Sequence, residues 1–431
     1  MNNFFKILIF LVLSFSVTNL LDGLFEDLFL SIFFFLICFF YFNKYKYVNK
    51  ILITAFIIRF ILSILSYSGI WYQQGANDDA LYFIENGLAY SNFDFSQIFL
   101  NFVNSGTSIY NLFLGFIFKI FDKSILFVIY INVFFSSLIV LYVYKLSSLL
   151  YNKKAGYLAA LFATFVPYLL FLGVTIIREP IITLLLIVSI FYFVKYSKSF
   201  LFKDMILSII LLFFGIGMHG AIILSLIVLI INIGLITFKR SQSLLHKIRF
   251  LLIMIITTIS LISVLQSEFR IYKLHNFQDR KLDKLYDDIL RHSGYAIKDN
   301  TYRSDIKIEK LLDYIIVLPE TFIPFLLEPY PWRIIELARY FLWFFGPMVW
   351  LVLFYLFLSN RKLLFNNKIN IYIILFCFIS LYVYSLGSSQ INQAIRHNHK
   401  FVPIIISIMS IYFIKYASKF GLGNKINSIP S

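Results

Sequence analysis

The sequence is short of charge and almost free of cysteine. Only 14% of its residues are charged, where ordinary soluble domains carry about 25%. The two cysteines, Cys38 and Cys377, each lie inside an apolar run. That excludes a disulfide framework and a cysteine-based metal cluster. Acidic residues are scarcest, with 22 Asp and Glu against 38 Lys and Arg. A glycine-rich phosphate loop is missing, as are zinc-finger, RNP and helix-turn-helix patterns, so neither a nucleotide loop nor a nucleic-acid partner is expected. What is plentiful is apolar surface. Of the 431 residues, 60% are hydrophobic and 20% aromatic, and the mean hydropathy is +0.83. The chain reads as an all-α, polytopic integral membrane protein.

A helix needs about 20 apolar residues to cross the hydrocarbon core. About twelve stretches approach that length: near 4–20, 24–42, 50–68, 124–145, 155–175, 180–195, 204–218, 221–238, 248–266, 336–358, 369–387 and 401–417. The first resembles a signal peptide, but it has no clear small-residue cleavage site and a second apolar run follows at once, so it reads as a retained helix. The run 106–121 is shorter and interrupted, and reads as a juxtamembrane or re-entrant element. Lysine and arginine then fix the sidedness. Lys44, Lys46 and Lys50; Lys145, Lys153 and Lys154; Lys195, Lys198 and Lys203; Lys239, Arg240, Lys247 and Arg249; Arg361, Lys362 and Lys368; and Lys415, Lys419 and Lys425 fall in every second connection. These connections read as cytoplasmic, as do both termini, in a bacterial inner membrane. Three modules follow: residues 1–266, with a first outer loop at 69–123; an extracytoplasmic segment at 267–335; and residues 336–431.

Nearly all side chains able to do chemistry fall on the other, outer face. Asp78 and Asp79 open a short amphipathic pattern running from Ala80 to Leu88. Adjacent carboxylates repel, which raises the pKa of one and suits it to act as a general base. They could also hold a divalent cation, or simply cap the helix and complement its dipole. Arg178-Glu179-Pro180 follows an outer turn. It fits a helix start, and Arg178 also suits a phosphate. Before the last span come Arg396, His397, His399 and Lys400, cationic where topology predicts few cations. Arg396 and Lys400 stand at i, i+4 and could clamp a phosphate, with His397 and His399 as acid or base, or all four could snorkel to headgroups. Residues 318–333, with four prolines, read as an interfacial or re-entrant segment. Arg59, Asn132 and His219 are lone polar residues in or beside spans, and such residues are functional candidates by default.

The pattern Asp78-Asp79-Ala80-Leu81-Tyr82 resembles the Asp-Glu-x-x-Tyr motif in the first outer loop of GT-C fold glycosyltransferases, the relatives of the protein O-mannosyltransferases and aminoarabinose transferases. Gly106 to Leu112 sits where that family carries a His-Pro-Pro-like segment. Lys145 to Pro167 resembles its basic turn and Ala-rich span, and Arg178-Glu179 an Arg or Ser followed by an acidic residue. Asp79 stands where the family usually has Glu, and the His-Pro-Pro element itself is missing. The resemblance covers about residues 70–195. The segment 393–403 also resembles the Arg-rich stretch before the last helix of GT-C and O-antigen polymerase proteins.

What the resemblance implies is a GT-C-like transferase working on the extracytoplasmic face. It would take a sugar from a polyprenyl-phosphate-linked donor to a glycan, lipid or protein acceptor of the cell envelope. Asp78 would be the base and Asp79 its partner, with Tyr82, Arg178, Glu179, His219, Arg396, His397, His399 and Lys400 as substrate- or phosphate-binding candidates. No cofactor is required, although a divalent cation remains possible. An outward-facing enzyme has no ready access to nucleotide-sugars, which favours a lipid-borne donor. An O-antigen or capsule repeat-unit polymerase is the alternative reading. A lipid-linked oligosaccharide flippase is a third, but no internal repeat supports it. The sidedness makes a prediction. A reporter tag inserted between Asn77 and Asp94 is expected to react with membrane-impermeant reagents applied from outside, and labelling only from the cytosol would reverse the topology.

Overall fold

A computed structural model describes residues 23–68, 77–98, 109–240, 243–266, 318–333, 346–388 and 390–419. The N-terminal stretch 4–20 and most of 267–335 lie outside the described residues. The elements described are helices. A first pair, α1 (Gly23–Asn43) and α2 (Asn49–Tyr67), is followed by two shorter helices, α3 (Asn77–Ser91) and α4 (Ile109–Ile120). Next come α5 (Ile125–Leu150), α6 (Lys153–Phe165) and α7 (Pro167–Leu172). A run of four follows: α8 (Glu179–Ser199), α9 (Phe202–Met218), α10 (Ile222–Arg240) and α11 (Leu244–Gln266). The last group is α12 (Leu318–Leu327), α13 (Pro347–Asn366), α14 (Lys368–Leu386), α15 (Ile391–Asn398) and α16 (Val402–Lys419).

Among the described residues, five helices are long and apolar enough to cross a membrane: α2, α5, α8, the Ile222–Lys239 part of α10, and α14. The protein is an all-helical, multi-pass membrane protein. Helix α5 is its axis, packing against α2, α4, α6, α8 and α16. Local chemistry sets several ends. Ser124 accepts a hydrogen bond from the Phe127 amide at 3.3 Å and caps α5. Asn152 caps α6 through the Ala155 amide at 2.9 Å, and Asn367 caps α14 through Ile369 at 3.1 Å. Such caps satisfy amides that have no partner inside the helix.

The structure departs from the sequence reading at the expected span 155–175. That stretch is two helices, α6 and α7, broken at an extended Val166 with Pro167 opening the second. Proline has no amide hydrogen and its ring disfavours helix in the preceding residue. The expected juxtamembrane run is the 12-residue α4, and the amphipathic pattern after Asp79 is α3. These two pack mainly on each other, Gly87 against Leu114 and Phe118, and Gly115 against Tyr90.

Helix association inside lipid depends on close packing and interhelical hydrogen bonds, because lipid tails are as apolar as the side chains. Ser189 on α8 donates to the Ser208 carbonyl at 2.7 Å, and Ser225 on α10 bonds Ser380 on α14 at 2.9 Å. Tyr196 and Thr237 meet at 2.7 Å. At the tight α5–α6 turn, a methyl group on Gly156 would stand 2.0 Å from Ser148 Oγ and 2.6 Å from the Tyr144 carbonyl oxygen. A serine can rotate away, but a helix carbonyl cannot. Gly156→Ala is therefore expected to destabilise the fold by about 1–3 kcal/mol, read as a lower unfolding midpoint in detergent. An unchanged midpoint would show that the two helices tolerate separation there.

Candidate active site at one end of the bundle

The candidate site grows from the loop between α7 and α8. Buried backbone carbonyls need donors, and Asn132 on α5 supplies them. Its Nδ2 donates to the Thr175 carbonyl at 2.6 Å and to the Ile177 carbonyl at 3.0 Å. One turn along the same helix, Ser136 donates to the Leu169 carbonyl at 3.1 Å. Arg59, fully buried in α2, donates to Ser136 Oγ at 2.7 Å and to the Ala55 carbonyl at 3.0 Å. Two of the three lone polar residues noted in the sequence, Arg59 and Asn132, thus form with Ser136 one polar ladder that holds residues 169–177. The ladder delivers Arg178 and Glu179 to the head of α8.

Arg178 Nη1 donates to the Met218 carbonyl at 3.0 Å, and its guanidinium lies 5.6 Å from the Phe83 ring centre. Glu179 is buried at 3% exposure. Its Oε1 lies 3.8 Å from the ammonium of Lys400, a residue with no exposed surface. Arg396 and Arg178 also act electrostatically on this carboxylate. Arg396 forms an ion pair with Asp79 at the start of α3. Burial works against the Arg396 charge, but Glu179 and Asp79 outweigh it and hold the guanidinium above its usual pKa. The expected clamp is therefore modified. Arg396 and Lys400 converge on Glu179, and each is already engaged by a carboxylate.

Three rings pack beside these charges. His219 lies 5.0 Å from His397 and 5.2 Å from Tyr384, and Tyr384 lies 5.0 Å from His397. Ser388 Oγ is 3.2 Å from His397 Nδ1. Burial first, then the charges of Lys400, His219, Arg396 and Arg178, push His397 well below the ordinary histidine pKa. It is a neutral imidazole at physiological pH. His399 is turned inward, with Nδ1 2.9 Å from the Ile395 carbonyl and 2.6 Å from Asn398 Oδ1, and its ring 4.6 Å from Tyr168. Asn398 also accepts from Trp350 Nε1 at 3.0 Å and donates to the Phe325 carbonyl at 2.7 Å. His399 and Asn398 therefore brace α15 against α7, α12 and α13.

The structure brings Asp79, Arg178, Glu179, His219, Arg396, His397 and Lys400 to one end of the bundle. Tyr82 is not drawn in, for it is 47% exposed on α3. Asp78 lies in the first turn of α3, but its side chain lies outside the described residues. Among the described residues, no three His, Cys, Asp or Glu side chains group as a metal site would need. Sequence reasoning missed Tyr384, Ser388 and Tyr168. They carried no signal in a chain with 29 tyrosines. An apolar groove of about 530 Å³ opens between α6, α7, α13 and α16, lined in part by Leu161, Phe162, Phe165, Pro167, Val349 and Val352.

Residues 107–265 match the family model described as dolichyl-phosphate-mannose-protein mannosyltransferase. Over that segment the chain resembles this GT-C-type family. The matched part runs through α4 to α11 and includes Arg178, Glu179 and His219, whereas Asp79 and the 396–400 segment lie outside it. No curated protein sequence matches the chain. Among solved structures, the archaeal oligosaccharyltransferase AglB from Archaeoglobus fulgidus, in complex with an inhibitory peptide and a dolichol-phosphate, is similar at 14% identity and a TM-score of 0.49. The alignment covers 91% of this chain and 53% of that one, so the chain spans about half of that protein's length.

The buried imidazole makes a pH prediction. Below about pH 6.5 an unfolded chain protonates this histidine while the folded one does not. The unfolded state then binds more protons, and stability falls as pH drops through that range. His397→Asn is expected to flatten the decline in unfolding midpoint between about pH 7 and 5. A slope identical to that of the parent chain would show that His397 is not the titrating group.

Proposed function

We propose that the protein is a membrane glycosyltransferase that takes a sugar from a polyprenyl-phosphate-linked donor to a hydroxyl acceptor on the extracytoplasmic face. The observation that carries this reading is the convergence of Arg178, Arg396 and Lys400 with the Glu179 and Asp79 carboxylates at one end of a bundle that also holds an apolar groove. An isoprenoid chain suits the groove and its phosphate suits the cations, whose field is strongest out of water. The lysine-rich connections lie at the opposite end of the bundle, around Lys195, Lys198 and Asp204. Under the positive-inside rule that end is cytoplasmic, which supports the outer placement of the site.

In this reading Asp78 takes the proton from the acceptor hydroxyl. The acceptor oxygen attacks the anomeric carbon as the bond from that carbon to the phosphate oxygen breaks. Polyprenyl phosphate leaves with the bonding electron pair, its charge met by Arg178, Arg396 and Lys400. Aimed charges of this sort supply much of the rate enhancement in group transfer. Asp79, engaged with Arg396, is the partner that orients the cation, and His397 is a neutral hydrogen-bonding group. A polymerase acting on diphosphate-linked glycans is the second reading. The two readings part at Asp78, which the transferase needs as a base and the polymerase does not. Donor sugar, acceptor and any divalent cation are open to the same assay.

Proteoliposomes supplied with short-chain polyprenyl-phosphate-linked hexoses and envelope acceptors test the proposal. The protein is expected to release polyprenyl phosphate, and Asp78→Asn to lower turnover by about 10²–10⁴-fold, the usual worth of a general base. Full activity in Asp78→Asn together with complete loss in Arg396→Ala would favour the polymerase reading. Failure to release polyprenyl phosphate from any such donor would exclude the transferase.

A further inference from the structure

Among the buried polar atoms at this end of the bundle that have no hydrogen-bond partner among the described residues, one belongs to the Arg396 guanidinium, which is already paired with Asp79, and two others are the Tyr384 hydroxyl and Glu179 Oε2. Tyr384 is 2% exposed and Glu179 3% exposed. Such atoms normally find partners when buried, and leaving one unmatched costs about 1–3 kcal/mol. The cost is easy to avoid at Tyr384. The ring already packs against His219, His397 and Phe401, and Lys400 Nζ lies 5.1 Å from its centre. Phenylalanine would keep those contacts without the stranded hydroxyl.

Other buried orphans differ in kind. Asn232 and Asn370 each lack a partner for the side-chain oxygen, but their amide nitrogens are bonded to other helices, so each already serves as a cross-link. The Tyr384 hydroxyl cross-links nothing among the described residues. It also sits within the electrostatic reach of Glu179 and Arg178. A hydroxyl that can donate or accept and a carboxylate oxygen that can only accept thus share one charged end of the bundle.

We infer that the Tyr384 hydroxyl and Glu179 Oε2 are the hydrogen-bonding contacts for hydroxyl groups of a neutral sugar ring. This assignment rests on the transferase reading and deepens it. Adjacent sugar hydroxyls offer both donor and acceptor character, which the pair complements. The imidazole and phenol faces of His219, His397 and Tyr384 suit the apolar C–H face of a pyranose. The sugar is uncharged because Arg178, Arg396 and Lys400 already surround Glu179. An ammonium on the ring would add a fourth cation to a site with two described carboxylates.

The test uses the full chain reconstituted in lipid, three ligands and one variant. The ligands are a polyprenyl-phosphate-linked hexose, the same lipid carrying an amino sugar, and bare polyprenyl phosphate. Tyr384→Phe is expected to unfold at the same temperature as the parent or higher, because it removes an unmatched buried group. It is expected to bind the hexose donor about tenfold more weakly and bare polyprenyl phosphate equally well. The parent is expected to bind the amino-sugar donor at least tenfold more weakly than the hexose donor. A lower unfolding temperature in Tyr384→Phe would mean that the hydroxyl is structurally bonded, and would overturn the inference. Equal hexose-donor binding by variant and parent, or equal use of the two sugars by the parent, would do the same. A parent protein that binds none of the three ligands would instead bring down the transferase reading itself.

Discussion

A carboxylate removed from water must be met by positive charge, and Glu179 is the point around which that requirement organises this protein. Its position at the head of α8 makes it a first-turn acid, where the helix dipole helps. The dipole alone does not offset the loss of water. Lys400, itself without exposed surface, supplies the counter-charge from the turn between α15 and α16. Each residue justifies the burial of the other, and either alone would be an uncompensated charge. The pair joins the segment that resembles the mannosyltransferase family to one that lies outside the match. Arg396 and Arg178 gather around the same centre, and the neutral state of His397 follows from their presence.

The second support is the polar ladder on α5. Residues 169–177 run between two helices with carbonyls pointing into the interior. Asn132 and Ser136, four residues apart on one face, meet them, and Arg59 backs Ser136 from α2. Arg59 is thereby a structural donor to hydroxyl and carbonyl oxygens. Intramembrane arginines invite a functional reading, but its hydrogen bonds to Ser136 and Ala55 place this one behind the site.

The sequence made the architecture legible because lipid imposes length and polarity on every span. Apolar runs of about twenty residues, separated by lysine clusters, leave little freedom. The break at Pro167 was hidden only because Ala-rich residues before it and Leu- and Phe-rich residues after it kept the hydropathy continuous. The site was partly legible. Arg178, Glu179, Arg396 and Lys400 stood out as charges on the face where topology predicts few. Their mutual pairing was not readable, since spacing along the chain cannot say that Lys400 meets Glu179 or that Arg396 turns to Asp79. Tyr384 was invisible for a different reason. Its hydroxyl matters only because the fold buries it with no partner among the described residues, and that is a property of packing.

The short helices α3 and α4 interlock through Gly87 and Gly115, and α3 packs chiefly on α4. Asp79, at the tip of α3, reaches Arg396 on α15. The start of α3 is therefore tied to the bundle by this ion pair, by Arg178 over the Phe83 ring and by the packing of Ala80 and Phe83. An anion drawn to Arg396 has to compete with Asp79 for the same guanidinium, so the first turn of α3 and any arriving negative charge share one counter-ion.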